Sequence, residues 1–281
     1  MPLRHPVQTA EELAVLDLIS NGRLAVTFGL GWRPYEFAMF GKDINTRVGA
    51  VVSAIEVMRQ AWTGNAFTFN GAAALVRPVP VHEGGPRISL AGITPASARR
   101  AAKLGTGYDP APSYDGPSPL YLEYEAECAR LGMPAPPPYM RPGPAFLFVS
   151  DDPDRDWKLL LPHLAHHRYT YASWVAEVTP GSPTYAWWVP GTETTAEVVA
   201  PSNDAEMLEE FKRDPTQAIL TPERTIELAK TLGPQSELVF RPLIGGTPPD
   251  LAWRGLRTFA DEVLPALREL GYVGTNAADV G

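Results

Sequence analysis

Cysteine is almost missing from these 281 residues: Cys128 stands alone, so no intrachain disulfide and no multi-cysteine zinc set can form. It lies in the helical pattern LYLEYEAECARLG with no histidine nearby, which marks a small packed residue rather than a thiol nucleophile. Long apolar runs are missing too. No stretch approaches the ~20 residues that a bilayer requires, and Glu11 and Glu12 break up what would be the apolar heart of a signal peptide. A cytoplasmic protein with no membrane contact is expected. Positive charge is in the minority, with 24 Lys and Arg against 32 Asp and Glu, a formal charge of -8 and no basic cluster. Such a surface repels phosphodiester backbones and argues against nucleic acid as a partner. A G-x-S-x-G elbow, a Ser-His-Asp order, a Walker loop and HExxH are all absent.

What the chain has in quantity is proline and glycine, 30 and 24 residues. Many of them punctuate a repeated order of strand, short loop and capped helix. Thr94-Pro95, Ser118-Pro119, Asp152-Pro153 and Thr221-Pro222 each place a capping residue before a proline at the first helical position, where a missing N–H costs nothing. Ahead of these, Thr9 and Glu12 make a capping box for a helix that Asn21-Gly22 stops. A second helix spans about 45–63, with Val48, Val51, Val52, Ile55, Met58 and Trp62 as its buried stripe. FTFNG suggests a short strand excursion after it. DDPDRDWKLLLPHLAHHRYTYASW reads as a helix kinked at Pro162, and DLAWRGLRTFADEVLPALREL as a closing helix.

Five strands fit between them, at RLAVTFGLG, PRISLAG, GTGYDP, FLFVS and ELVFRPLIG. RLAVTFGLG lacks polar alternation, as expected of a strand buried on both faces of a parallel sheet. The order is that of βα units, an α/β fold. Strand count alone leaves a (β/α) barrel and a doubly wound sheet both open. Residues 1–281 read as one domain, with an irregular insertion over 170–205 as a candidate lid and a frayed tail over 274–281.

Two stretches can carry chemistry. TFGLGWRPYEFAMFG runs a strand into Gly29, Gly31 and Trp32, at the carboxyl end where parallel α/β folds bind ligands. Trp32 could wall a flat ring, or equally plug the core. ISLAGITPASARR ends a strand at Gly92 and starts a helix at Thr94, whose amides and dipole make an anion site. Ser97, Arg99 and Arg100 follow, and an ordinary capped helix remains the plain alternative. His163, His166 and His167 share a helix without a carboxylate or thiol pattern, so packed or solvated histidines are expected there and no metal. Tyr185, Trp187 and Trp188 of the insertion suit a lid or simple packing alike.

One resemblance joins these stretches. Leu13, Ala14, Leu16, Asp17, Leu18, Ser20, Gly22 and Arg23, followed by Gly29, Gly31, Trp32, Phe40 and Gly41, resemble a signature of the bacterial luciferase-like monooxygenases. PRISLAGITPASARRAAKLGTGY resembles that family's next strand and phosphate-binding helix start, and LAWRGLRTFADEVLPALREL its closing helix. The resemblance implies a TIM-type (β/α) barrel binding a flavin at the carboxyl ends of its strands. The cofactor would be FMN for a monooxygenase acting with oxygen on a small organic substrate, or the deazaflavin coenzyme F-420 for hydride transfer. Leu30, Gly31 and Trp32 would lie near the flavin, and Gly92, Ile93, Thr94 and Ser97 at its phosphate. No catalytic residue is implied. Family members carry three strands before the phrase found here at residues 2–6. The barrel is therefore expected to be incomplete at its front, holding about the last five of eight strands with open edges at RLAVTFG and ELVFRPL. A second copy or a flavin reductase is the expected protein partner, and a non-catalytic remnant is the alternative to an enzyme.

Overall fold

Proline opens seven of the helices in the computed structural model, which describes residues 1–111, 113, 117–139, 142–176, 204–234 and 236–272. The chain forms two compact units, one of Met1–Ala111 with Ser118–Tyr139 and one of Pro112–Pro117 with Met140–Gly281, where the sequence suggested one domain.

In the first unit α1 (Pro6–Ser20) begins earlier than its capping box implied. Pro6 takes the first helical position and His5 is the N-cap, its Nδ1 accepting the Gln8 amide at 3.5 Å. Thr9 is therefore inside the helix and buried, its hydroxyl donating to the His5 carbonyl. Glu12 pairs with Arg4 and accepts from the Gln8 side chain instead of reaching back to the cap. The C-cap is as expected: Asn21 is left-handed at φ 53°.

β1 (Ala25–Phe28) departs from its expected burial. Ala25 and Thr27 are exposed and Val26 and Phe28 half-buried, because β1 pairs with one neighbour and forms a sheet edge. Then come α2 (Pro34–Met39) and α3 (Arg47–Trp62). Val51, Ile55, Met58 and Trp62 of the expected stripe are buried, while Val48 and Val52 are half-buried. The Trp62 indole N–H donates to the Ala10 carbonyl at 2.9 Å, satisfying its one polar atom inside the core between α1 and α3. The FTFNG excursion is a hairpin of β2 (Phe67–Phe69) and β3 (Ala72–Ala74), turned by Asn70 and Gly71, both at positive φ. β4 (Arg87–Gly92), α4 (Pro95–Leu104), β5 (Gly107–Pro110) and α5 (Pro119–Arg130) complete the unit. β1, β4 and β5 pair in parallel, in that order. Gly107 is tight against the sheet, since a methyl there would lie 2.5 Å from Ser89 Oγ.

The second unit is built on β6 (Phe146–Val149), buried at every position. α6 (Pro153–Ala176) follows, with the Asp152 carboxylate accepting the Arg155 amide at 3.1 Å, and Pro162 within it. The helix consumes the first residues of the expected 170–205 insertion. The rest of the insertion, with Tyr185, Trp187 and Trp188, and the tail lie outside the described residues. After α7 (Asp204–Arg213), β7 (Gln217–Leu220) pairs in parallel with β6. The sequence reading missed β7, four residues without alternation. ELVFRPLIG, expected as the last strand, is not one. Leu147 N–H donates to the Val239 carbonyl at 3.0 Å, and the segment then turns into a short helical turn at Ile244–Gly246.

α8 (Pro222–Leu232) starts at Thr221, as the proline pattern indicated. The closing helix is α9 (Pro249–Thr258) and α10 (Leu264–Glu269), joined by a wider π turn over Phe259–Val263. Pro265 lacks the N–H and crowds the carbonyl four residues back, which explains the widening. The described strands pair in three separate sheets and close no barrel. No helix among the described residues is long and apolar enough to cross a membrane.

Candidate functional site

Parallel pairing sets Phe28 opposite Leu90, so β1 and β4 leave the sheet at the same end. This brings together the two stretches singled out in the sequence. After β1, Gly29 is open, with no heavy atom within 4 Å of where a side chain would begin. Leu30 is half-buried and packs on the core. Gly31 has φ +75°, and a Cβ there would lie 3.0 Å from the Phe37 ring, so turn and packing both call for glycine. Trp32 is half-buried at the start of the following loop.

After β4, Thr94 caps α4 in a reciprocal box. Its Oγ1 accepts the Ser97 amide at 3.2 Å, and Ser97 Oγ accepts the Thr94 amide at 3.1 Å. Ser97 is buried, and its hydroxyl donates to the Thr94 carbonyl at 2.5 Å. It also lies 3.0 Å from the Tyr108 hydroxyl, which donates to the Gly92 carbonyl at 2.8 Å. Gly92 has to be glycine: a side chain would collide with Ser97 Oγ and Cβ. Gly92, Thr94, Ser97 and Tyr108 thus form one hydrogen-bonded block that fixes how α4 leaves β4. The Ser97 hydroxyl is spent within it, while Ile93 is half-buried and Thr94 and Ala96 exposed.

Charge converges on the same place. Helical side chains lean toward the N-terminus, so Arg100 covers the turn of Ala96 and Ser97. Arg100 is half-buried and forms no hydrogen bond or ion pair among the described residues. Burial lowers its pKa, and Arg47, the first residue of α3, lowers it further. Arg47 itself donates to the Ile44 carbonyl at 2.8 Å. Arg99 pairs with Glu123 at 2.5 Å on the opposite, α5 side. Arg59 donates to the Leu104 and Gly105 carbonyls at 2.7 and 3.1 Å, the negative end of the α4 dipole. Burial pushes the Tyr108 hydroxyl up from its ordinary value, with the Ser97 bond opposing it. Sequence reasoning missed Tyr108 and Arg47. Tyr108 sits in a short strand whose inward position was legible, but nothing local ties Arg47 to α4.

The three histidines of α6 differ in surroundings. His163 Nδ1 lies 3.1 Å from the Gly245 carbonyl, His167 is half-buried and His166 exposed. A separate charged cluster sits at the end of β6. There the fully buried Asp156 accepts from Ser150 at 2.6 Å, from Arg155 at 3.0 Å and from Arg254 of α9.

A luciferase-like monooxygenase family model matches residues 1–213. The chain belongs to that family. Among individual relatives of this luciferase-like chain, protein y4wF of Sinorhizobium fredii is 31% identical over 110 residues, 37% of this chain and 32% of its own. Rv0953c of Mycobacterium tuberculosis is 27% identical over 143 residues, 48% and 51% of the two chains. The FMNH(2)-dependent dimethylsulfone monooxygenase of Pseudomonas fluorescens is 30% identical over 111 residues, 37% and 30% of the two. The matched region thus spans between about a third and a half of these relatives.

Solved structures share the fold. The oxygenating constituent of 3,6-diketocamphane monooxygenase from Pseudomonas putida, in complex with FMN, superposes with TM-score 0.62 at 16% identity, covering 94% of this chain and 76% of that one. The coenzyme F-420-dependent tetrahydromethanopterin reductase of Methanopyrus kandleri gives 0.57 at 16% identity, with 94% and 80% covered.

Proposed function

We propose that this luciferase-like chain binds FMN at the shared exit of β1 and β4 and serves a monooxygenase reaction on a small organic substrate. The observation that carries this reading is the convergence of an open glycine exit at Gly29–Gly31 with a fixed helix N-terminus at Thr94 beside two guanidiniums. The donor set fits a flavin phosphate. The α4 dipole and its first-turn amides favour an anion, and Arg47 and Arg100 add positive charge, with no carboxylate among the described residues pairing with Arg100. Leu30, Gly31 and Trp32 supply the apolar and glycine surface that an isoalloxazine ring requires. Thr94 and Ser97 hold each other, so their part is to keep the Ile93–Ala96 backbone in place. Bound reduced FMN would supply the electrons for oxygen activation. The protein's own share is to orient the cofactor and exclude water.

Anaerobic titration of the purified chain with reduced FMN, followed by oxygen uptake with candidate substrates, tests the reading. Failure to bind any flavin would leave the non-catalytic alternative. Reduction of coenzyme F-420 by substrate would favour the dehydrogenase reading, for which the same strand exit and helix start would serve.

A further inference from the structure

The second unit encloses a cavity of about 340 Å³ between α8, the segment that follows it, and the closing helix. No residue of the β1 and β4 exit takes part in it. The π turn gives it its shape. Leu264 N–H donates to the Phe259 carbonyl five residues back, and this wider turn brings Phe259 and Leu264 to one side. At the regular 3.6 residues per turn they would diverge. Leu267 follows three residues on and lines the same space. On the other side α8 ends at Gly233, whose φ of +89° turns the chain back so that Leu238 and Phe240 complete the wall.

Protein interiors are close-packed, and an empty apolar space weakens the fold in proportion to its volume. The core beside this cavity is small. Val149, Ala229, Val263 and Leu267 are buried, whereas Leu238, Phe240, Phe259 and Tyr272, all lining the cavity, are only partly buried. The Phe240 and Phe259 rings stand 4.7 Å apart at 59° and form an aromatic wall. Polar groups are few and specific. The Ser236 hydroxyl donates to the Leu232 carbonyl at 2.9 Å and is left only to accept. The Tyr272 hydroxyl has no hydrogen-bond partner among the described residues. No charged side chain among them lines the space.

We infer that this cavity is a binding site for a compact apolar molecule of about a dozen carbon atoms that carries one hydroxyl or carbonyl group. A cavity of about 150 Å³ takes one benzene ring, so this volume takes about twice as many carbons. Small-molecule pockets begin at about 300 Å³ and combine aromatic and aliphatic walls with a few fixed polar groups. Tyr272 supplies the donor for the ligand's single oxygen, and a charged ligand finds no counter-ion. The site does not depend on the flavin reading and stands if that reading fails.

The test is equilibrium dialysis of the full chain against 1-naphthol, naphthalene and 1-naphthalenesulfonate, in wild type, Tyr272→Phe and Ser236→Phe. 1-Naphthol is expected to saturate one site per chain with a Kd below about 50 µM. Naphthalene, without the hydroxyl, is expected to bind about fivefold weaker, and the sulfonate at least about tenfold weaker. Tyr272→Phe is expected to weaken 1-naphthol about fivefold and leave naphthalene unchanged. Ser236→Phe fills the space and is expected to weaken both at least about tenfold. Circular dichroism melts separate lost binding from lost folding, and Tyr272→Phe keeps the test open if Ser236→Phe does not fold. Absence of saturable 1-naphthol binding would overturn the inference and assign the space to protein side chains, of this chain or of a second copy. Binding that neither variant changes, or a sulfonate that binds as tightly as 1-naphthol, would overturn it as well.

Discussion

The hydroxyl oxygens of Ser97 and Tyr108 lie 3.0 Å apart, and Tyr108 donates onward to the Gly92 carbonyl at 2.8 Å. Through this pair the first turn of α4 is locked to β5 and to the end of β4. Tyr108→Phe keeps the ring and removes the lock. It is expected to cost about 1 kcal/mol, the usual net worth of a buried hydrogen bond, more if the Gly92 carbonyl is left without a donor. Urea denaturation measures it. Flavin affinity should fall as well, because the helix start loses its anchor.

Gly92→Ala puts a methyl group where Ser97 already is. Overpacking of this kind costs about 1–3 kcal/mol. Combining it with Ser97→Gly removes the obstructing atoms, so the double variant should be more stable than the sum of the two single losses. A strictly additive double-mutant cycle would show that the clash is relieved elsewhere.

Asp156→Asn leaves Arg254 without its carboxylate and Arg155 with Asp151 alone. Asp156 is fully buried, while the two arginines are partly exposed, at side-chain exposures of 40% and 39%. That exposure lets water take up part of the lost interaction, which places the expected loss nearer about 2 kcal/mol than the ~3–5 kcal/mol of a fully buried pair. A thermal melt at neutral pH reads it.

His167 gives a pH dependence with a definite sign. Burial, then Arg241, holds its pKa below the ordinary histidine value of 6.5. The unfolded chain therefore binds this proton first, and folding loses stability as pH falls below about 6.5 toward the folded value. The melting temperature should drop between pH 7.5 and 5.5, and His167→Gln should flatten that slope. An unchanged slope in the variant would assign the dependence to other groups.

Helix starts were legible because their chemistry is local. Pro95, Pro119, Pro153 and Pro222 open their helices as the pattern implied, although Ser118 makes no side-chain capping bond where Thr94, Thr221 and Asp152 do. The same logic misplaced the start of α1, because Pro6 outcompetes Thr9. Strands fared worse. QAIL and ELVFRPLIG carry similar apolar runs, and only the partner each meets across space decides that the first pairs with β6 and the second does not.

By itself the sequence determined the α/β order, the proline-marked helix starts, the short strand excursion at FTFNG and the two stretches that follow β1 and β4. These follow from backbone preferences of single residues and their near neighbours. Tertiary structure alone decided that Ser97 meets Tyr108, that Arg47 of α3 stands near Arg100 of α4, and that Asp156 meets Arg254 98 residues away. Burial and electrostatic coupling depend on distances through space, and the chain fixes those only when its packed elements bring remote residues together.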